Sequence, residues 1–178
     1  MAIGRLALLL PLVAACSPPP PWTFTGQGQY TVQLPGTHTR VVTETMSKQY
    51  PLGAITGAVH TAEGRRPVEL YATAHIDFPR LKEAGTSPLQ LLDAMLQGMI
   101  GGMQSRVTDS SDFVYEEFVG KECLFSGTWK GQAIHGKARL YLIQERVVAV
   151  MVAGRDRACV KDPATYAFFD SFKYNGPR

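Results

Sequence analysis

The stretch VVAVMVA, residues 147–153, is apolar at every position. A strand with one face in water alternates apolar and polar residues, whereas a strand covered on both faces is apolar throughout. This stretch therefore predicts a strand in the middle of a sheet that carries a further layer on each face.

The segments around this stretch predict antiparallel neighbours for it. Residues 138–143 alternate in hydropathy and are joined to it by a short turn at residues 144–145. Short connections favour antiparallel pairing. Further strands are predicted at residues 30–34, 41–42 and 113–125.

Residues 68–78 show the most regular alternation in the chain. The apolar positions are Val68, Leu70, Ala72, Ala74, Ile76 and Phe78, and the positions between them are Glu69, Tyr71, Thr73, His75 and Asp77. This pattern predicts a strand with one packed face and one wetter face. Residues 54–60 are expected to pair with it as a hairpin, in which counting back from the turn places His60 nearest Glu69.

Two segments carry the signals of a helix start. Ser87-Pro88-Leu89-Gln90 combines an N-cap serine, a proline at the first helical position and a glutamine three residues after the cap. Asp162-Pro163 begins a second helix in the same way. The order of strands, helix, strand meander and helix predicts the α+β class, as an α/β sandwich with a mostly antiparallel central sheet and a layer on both faces.

The first fifteen residues have the character of an export signal. Arg5 precedes an apolar run, residues 6–15, that is shorter than the roughly 20 residues needed to span a bilayer. The run ends in Val13-Ala14-Ala15-Cys16, which resembles a bacterial lipobox. The resemblance implies cleavage before Cys16, lipidation of its thiol and acylation of the new N-terminus, and Ser17 favours sorting to the outer membrane over the inner one.

The sequence thus predicts three regions: a lipoprotein signal peptide (1–15), a lipidated cysteine with a proline-rich tether (16–28), and a domain (29–178). The prolines at positions 18–21 favour an extended polyproline conformation. We expect a lipid-anchored protein of the cell envelope that faces the periplasm.

Once Cys16 is assigned to the lipid anchor, two of the three cysteines remain, Cys123 and Cys159. An isolated pair in an oxidising compartment predicts a structural disulfide between them. Two free buried thiols and a redox couple are the alternatives, although the spacing differs from the C-x-x-C of redox sites.

Catalytic, metal-binding and nucleic-acid-binding patterns are weak or absent in the sequence. The net charge of +3 is small and dispersed, which argues against nucleic acid as a partner. The histidines at positions 38, 60, 75 and 135 lack metal-ligand spacing. Glu116 and Glu117 are expected on opposite faces of one strand, which does not suit a paired-carboxylate mechanism. We therefore predict no enzyme activity, no metal and no cofactor.

Four fragments of the domain carry a family resemblance: YTVQLPG (30–36), LLDA (91–94), RLYL (139–142) and FFDSFK (168–173). In these fragments the chain resembles the PsbP-like sandwich family. The resemblance implies an α/β/α sandwich and a binding or scaffolding role, and it carries over no catalytic residue.

Two functions are consistent with these observations. The first is a membrane-anchored, non-catalytic binding or scaffolding module for a protein partner in the envelope. The alternative is a carrier of a lipid or other apolar ligand, with a pocket lined by Met95, Met99 and Met103 of the first helix, although such a stripe also suits packing against a sheet.

Overall fold

The computed structural model of this chain describes residues 22–26, 29–34, 41–50 and 53–177. The predicted export signal, Cys16, the proline run and His38 lie outside the described residues. Within these ranges, no helix combines the length and apolar character needed to cross a bilayer.

Ten strands form two antiparallel sheets in the described residues. The strands are β1 (Trp22–Gly26), β2 (Tyr30–Leu34), β3 (Val41–Tyr50), β4 (Gly53–Glu63), β5 (Leu70–Asp77), β6 (Ser105–Tyr115), β7 (Phe118–Trp129), β8 (Gln132–Ile143), β9 (Arg146–Gly154) and β10 (Lys173–Tyr174). The large sheet has the order β3-β4-β5-β9-β8-β7-β6, and the small sheet has the order β1-β2-β10. The apolar strand β9 is therefore the fourth of seven strands, as predicted.

Among the described residues there are also two helices and two short 3-10 turns: α1 (Pro88–Gly102), α2 (Pro163–Asp170), and turns at Leu81–Ala84 and Arg157–Lys161. Both helices begin at the predicted proline. The Asp162 carboxylate caps α2 by accepting a hydrogen bond from the Ala164 backbone N–H at 2.8 Å. Ser87 occupies the N-cap of α1 without a side-chain hydrogen bond.

Each face of β9 packs into a different hydrophobic cluster. Val147, Ala149 and Met151 join the cluster that contains Leu92 and Leu96 of α1. On the other face, Val148, Val150 and Val152 join a cluster with Tyr30 and Val32 of β2 and with Phe168 and Phe169 of α2. The alternation of a strand explains this division, since neighbouring side chains point to opposite faces.

The predicted fold class holds in its coarse form, because the part of the chain that the structure describes is mostly antiparallel sheet with two helices. The layer on the Val148 face is built largely from the small sheet, and α2 contributes eight residues beside it. The architecture is thus dominated by sheet rather than by helical layers.

The small sheet overturns the expectation of a wetter face on β5. Tyr71, Thr73 and His75 are only 2%, 4% and 5% exposed. The rings of Phe24 and Tyr30 from β1 and β2 lie over this face, with the Tyr30 and His75 ring centroids 6.4 Å apart. The positions between the apolar residues of β5 therefore form a second buried face, which β1 and β2 cover.

The pairing of β4 with β5 also places His60 differently from the expected position near Glu69. His60 lies opposite Thr73, and its ring stacks on that of His75 with centroids 6.5 Å apart. Burial lowers the pKa of both imidazoles, and for His75 the nearby Arg146 lowers it further while Asp77 opposes this. Both rings are therefore neutral near pH 7.

The segment predicted as one strand, residues 113–125, is a hairpin. Tyr115 pairs with Phe118 across a two-residue turn formed by Glu116 and Glu117. Glu116 has a φ of 53°, which reverses the chain where an uninterrupted strand was expected. The predicted placement of the two glutamates on opposite faces of a strand was wrong.

Residues 22–26, assigned to the tether by the sequence, form β1. Their pairing with β2 runs from Trp22 opposite Leu34 to Gly26 opposite Tyr30. The folded part of the chain therefore begins earlier than residue 29.

The predicted disulfide between Cys123 and Cys159 is not present, and both residues are free, buried thiols. Cys123 packs into the cluster on the α1 face of the sheet, whereas Cys159 packs into the cluster on the opposite face. A strand layer therefore separates the two sulfurs. Burial raises the pKa of Cys123 to about 12 and that of Cys159 to about 11, so both stay protonated and do not suit a redox couple.

Candidate functional site

A cleft of about 410 Å³ lies between the outer strands of the large sheet and the end of α2. A second cavity, under the small sheet beside Phe24 and His60, is about 10 Å³ and is too small for a ligand. The larger cleft is therefore the candidate site. Its lining comprises Ser111, Phe113, Val114, Tyr115, Glu122, Arg139, Tyr141, Phe169, Asp170 and Phe172.

Strand register brings these side chains together in two rows. Ser111, Glu122 and Arg139 lie side by side across β6, β7 and β8. In the next row, Phe113, Gly120 and Tyr141 lie side by side. Because Gly120 has no side chain, the Phe113 ring can lie over β7, and a Cβ at this glycine would come within 2.4 Å of that ring.

The floor of the cleft is a cluster of aromatic rings. Tyr141 and Phe172 are stacked at 4.1 Å with an interplanar angle of 10°. Phe113 and Tyr115 contact the Tyr141 ring edge-on at 5.3 and 5.4 Å. Such edge-on and stacked pairs add to the stabilisation from burial alone. Burial raises the pKa of Tyr141 to about 12, so its hydroxyl is neutral at ordinary pH.

Arg139 is the central charged group of the cleft. Its Nε donates to Glu122 Oε2 at 2.6 Å, and Lys137 Nζ lies 2.8 Å from Glu122 Oε1. The guanidinium also lies over the Phe169 ring, 5.0 Å from its centroid, and its Nη1 is 3.6 Å from Asp170 Oδ1. The positive charges of Lys137 and Arg139 are balanced by the negative charges of Glu122 and Asp170, so the cleft is not a simple anion site.

Glu122 is held ionised by its two cationic neighbours. Burial raises the pKa of Glu122, but the hydrogen bonds from Lys137 and Arg139 lower it by more, so the net pKa is below its ordinary value. A depressed folded-state pKa means that the carboxylate stabilises the fold above the unfolded value of 4.5. This stabilisation is lost as the pH falls through the folded-state pKa.

We expect Glu122→Gln to lower the free energy of unfolding at neutral pH by about 2 kcal/mol, because it leaves two cations without their shared carboxylate. The difference from wild type should shrink as the pH falls below the unfolded value of 4.5 and through the lower folded-state pKa, because the wild-type carboxylate is then protonated. Urea denaturation at several pH values measures both effects. Asp170→Asn is the control, since that side chain is 72% exposed and should change stability by less than about 0.5 kcal/mol. If Glu122→Gln lowered the free energy of unfolding by the same amount at neutral and at acidic pH, this account would be contradicted.

Two of the four fragments that carry the family resemblance meet in this cleft. RLYL supplies Arg139 and Tyr141, and FFDSFK supplies Phe169, Asp170 and Phe172. Tyr30, from the YTVQLPG fragment, contacts the Phe172 ring at 6.0 Å from behind the cleft. The fragments are distant in sequence, and the packing of α2 and β2 on one face of the large sheet brings them together.

The other predicted sites lie elsewhere. Met95, Met99 and Met103 pack against the cluster on the α1 face, which is the opposite face of the sheet from the cleft. Cys16 lies outside the described residues. Among the described residues, no group of three or more His, Cys, Asp or Glu side chains could hold a metal ion.

The contribution of β6 was missed by the sequence analysis. Only residues 113–115 of this strand fall within a predicted element, and none of them was singled out as a site residue. The signal was an aromatic alternation at positions 113 and 115 that follows a polar run, residues 108–112. A polar run of this kind is typical of an edge strand as well as of a loop, so pattern alone does not separate the two.

The fold is similar to that of a known protein. The chain resembles the solution structure of cyanobacterial PsbP (CyanoP) from Synechocystis sp. PCC 6803, with a TM-score of 0.55 and 10% sequence identity over 86% of this chain and 91% of that chain. No protein-family model matches the chain, and no curated protein matches it.

Two Pseudomonas aeruginosa structures are more distant. A protein of unknown function has a TM-score of 0.39 and 7% identity over 82% of this chain and 85% of that chain. The T6SS immunity protein TplEi has a TM-score of 0.41 and 15% identity over 68% of this chain and 45% of that chain. The similarity to cyanobacterial PsbP supports a PsbP-like fold, and at this identity it concerns the fold alone.

Proposed function

We propose that this chain is a non-catalytic binding module, anchored to the cell envelope through a lipid on Cys16, and that it binds a protein partner in the Arg139 cleft. The observation that carries the proposal is the composition of the cleft, in which aromatic rings surround one half-buried guanidinium. Aromatic residues and arginine are the types that contribute most binding energy at protein interfaces.

A binding role rather than catalysis is supported by the ionisable groups of the cleft. The Glu122 carboxylate is shared between Lys137 and Arg139, which keeps it ionised and hydrogen-bonded. The hydroxyl of Tyr141 has a pKa of about 12. Neither group is tuned to exchange a proton near neutral pH, which a general acid or base requires.

The lipobox-like sequence and the start of the fold define the proposed tether. β1 begins at Trp22, so residues 16–21 remain between the lipidated cysteine and the domain. The four prolines at positions 18–21, at about 3.1 Å per residue in the polyproline conformation, would contribute about 12 Å of this tether. The domain would therefore stay close to the membrane surface, facing the periplasm, with the outer membrane favoured over the inner one.

The alternative function, an apolar-ligand carrier built around the methionine stripe, receives less support. Met95, Met99 and Met103 are partly buried and pack against the core on the α1 face. This contact accounts for their apolar character without a ligand.

Photo-crosslinking in intact bacterial cells tests the proposal. A benzophenone amino acid at position 114, where the native valine is 69% exposed on the cleft rim, should give one discrete protein adduct. The same group at position 83, on the 3-10 turn outside the cleft where the glutamate is 63% exposed, is the matched control and should give none. Cys16→Ser should remove the adduct, because the variant cannot be lipidated and does not reach the proposed membrane site. Equal adducts from both positions, or none from position 114, would count against the proposal.

A further inference from the structure

The cleft opens beside the free edge of β6. Within the described part of the chain, β6 pairs with β7 alone and ends the large sheet. Tyr115 and Phe118 close a two-residue turn, which makes them a hydrogen-bonded pair. Because such pairs alternate along an antiparallel ladder, Asp112 and Val114 direct their backbone N–H and C=O groups outward, away from β7.

The outer edge of β6 borders the cleft. Ser111, Phe113 and Tyr115 of β6 form one wall of the cleft. A strand added beside β6 would therefore place every second side chain over that wall, within reach of the aromatic floor. Val114 is 69% exposed, which is unusual for an aliphatic residue on an edge strand and favours contact with a partner.

The charges around the edge define what kind of strand fits. Four exposed carboxylates lie on β6 and in the turn after it: Asp109, Asp112, Glu116 and Glu117. Asp170, 72% exposed, adds a fifth at the mouth of the cleft. Against these, Arg106 is exposed on β6, Lys121 reaches Asp112 at 3.1 Å, and Arg139 lies 3.6 Å from Asp170. The excess of negative charge is complementary to a basic segment and unfavourable for nucleic acid.

A second copy of this chain is a poor occupant of the same edge. Pairing two β6 strands would bring Asp109 and Asp112 of one copy close to the same residues of the other. Like charges on directly neighbouring strands are destabilising. A partner with lysine or arginine at these positions avoids this cost.

We infer that β6 accepts an extended, basic segment of the protein partner as an additional strand, with one apolar or aromatic side chain of that segment filling the Arg139 cleft. Main-chain hydrogen bonds to Asp112 and Val114 supply part of the affinity, and the cleft and the carboxylates supply selectivity. This inference rests on the proposed function and specifies the chemistry of its partner.

Short peptides test whether the β6 edge binds a basic strand in preference to an acidic one. The probe is an acetylated and amidated peptide of sequence KVKFKVK, and the matched control replaces each lysine with glutamate. Calorimetric titration against the full lipidated chain in detergent should give an affinity for the lysine peptide more than about tenfold higher than for the glutamate peptide. Methylation of the central backbone nitrogens of the lysine peptide should weaken binding by about five- to tenfold, because it removes main-chain donors.

A variant pair tests the edge. Val114→Pro removes an outward N–H, which edge strands tolerate, and should weaken binding of the lysine peptide by about five- to tenfold. Val114→Thr keeps the N–H and should bind within about twofold of wild type. Thermal unfolding of both variants checks that they fold. If Val114→Pro does not fold, amide hydrogen exchange is measured on the wild-type chain instead. The lysine peptide should slow exchange of the backbone N–H groups of Asp112 and Val114.

Three results would overturn the inference: equal affinity for the two peptides, equal binding by the two variants, or a dimer in sedimentation that Val114→Pro dissociates. The last would assign the edge to a second copy. Crosslinks from position 114 in cells without any peptide selectivity would reject strand addition and leave the proposed binding function standing. Peptide selectivity without crosslinks in cells would reject the proposed partner site instead.

Discussion

Phe172→Ala is expected to lower the free energy of unfolding by about 3–5 kcal/mol, the range for removing a buried aromatic ring. Phe172 is 3% exposed and follows α2. Its ring stacks on Tyr141 of the large sheet at 4.1 Å and lies 6.0 Å from Tyr30 of the small sheet. Tyr115 of the edge strand contacts it at 5.3 Å. One side chain therefore joins both sheets and the end of α2.

Equilibrium denaturation in urea measures this loss. Tyr166→Ala is the matched control, because it removes an aromatic ring from the neighbouring helix at a position that is 47% exposed and should cost less than about 1 kcal/mol. Phe172→Leu, which keeps most of the volume, should cost about 1–2 kcal/mol. If Phe172→Ala were no more destabilising than Tyr166→Ala, the ring would not be a junction between the layers.

Cys16→Ser is expected to abolish incorporation of labelled palmitate and to leave residues 1–15 attached to the protein. The thiol is the only group in the lipobox-like sequence that can form the thioether, and serine cannot replace it. At about 0.8 kcal/mol per buried methylene, two or three acyl chains hold a protein far more firmly than the marginal anchoring by one chain. Without them, the protein should no longer fractionate with the outer membrane.

Radiolabelling of growing bacteria, combined with intact-mass measurement, checks this expectation. Ser17→Ala is the control, since it preserves the cysteine and should be labelled as strongly as wild type. Persistent labelling of Cys16→Ser would place the lipid elsewhere. A wild-type protein that takes up no palmitate and keeps its leader would reject the anchor altogether.

Some features of the fold could be predicted because they depend on neighbouring residues. The uninterrupted apolar run at 147–153 requires cover on both faces, and β9 lies at the centre of the sheet. The prolines at 88 and 163 mark the starts of α1 and α2, since proline suits the first helical turn and no later one. These signals are contained within a few residues.

Other features were predicted incorrectly because they depend on distant segments. The polar positions of β5 were expected to face water, yet β1 and β2, from the start of the chain, cover Thr73 and His75. The hairpin at Glu116 was missed because a non-glycine residue with a φ of 53° leaves no sequence signal. A disulfide was predicted because Cys123 and Cys159 are the two cysteines that remain besides Cys16. The two residues lie on opposite faces of the sheet and are free thiols.

By itself, the sequence determined the central strand, both helix starts and the mostly antiparallel sheet, and it supplied the lipobox-like pattern on which the proposed anchor rests. Only the tertiary structure decided that Arg139, Glu122 and Phe172 share one cleft and that, among the described strands, β6 forms the edge of the sheet beside it. The physical reason is that hydropathy patterns report the local need for burial, whereas strand register and the packing of one layer on another depend on residues far apart in the chain.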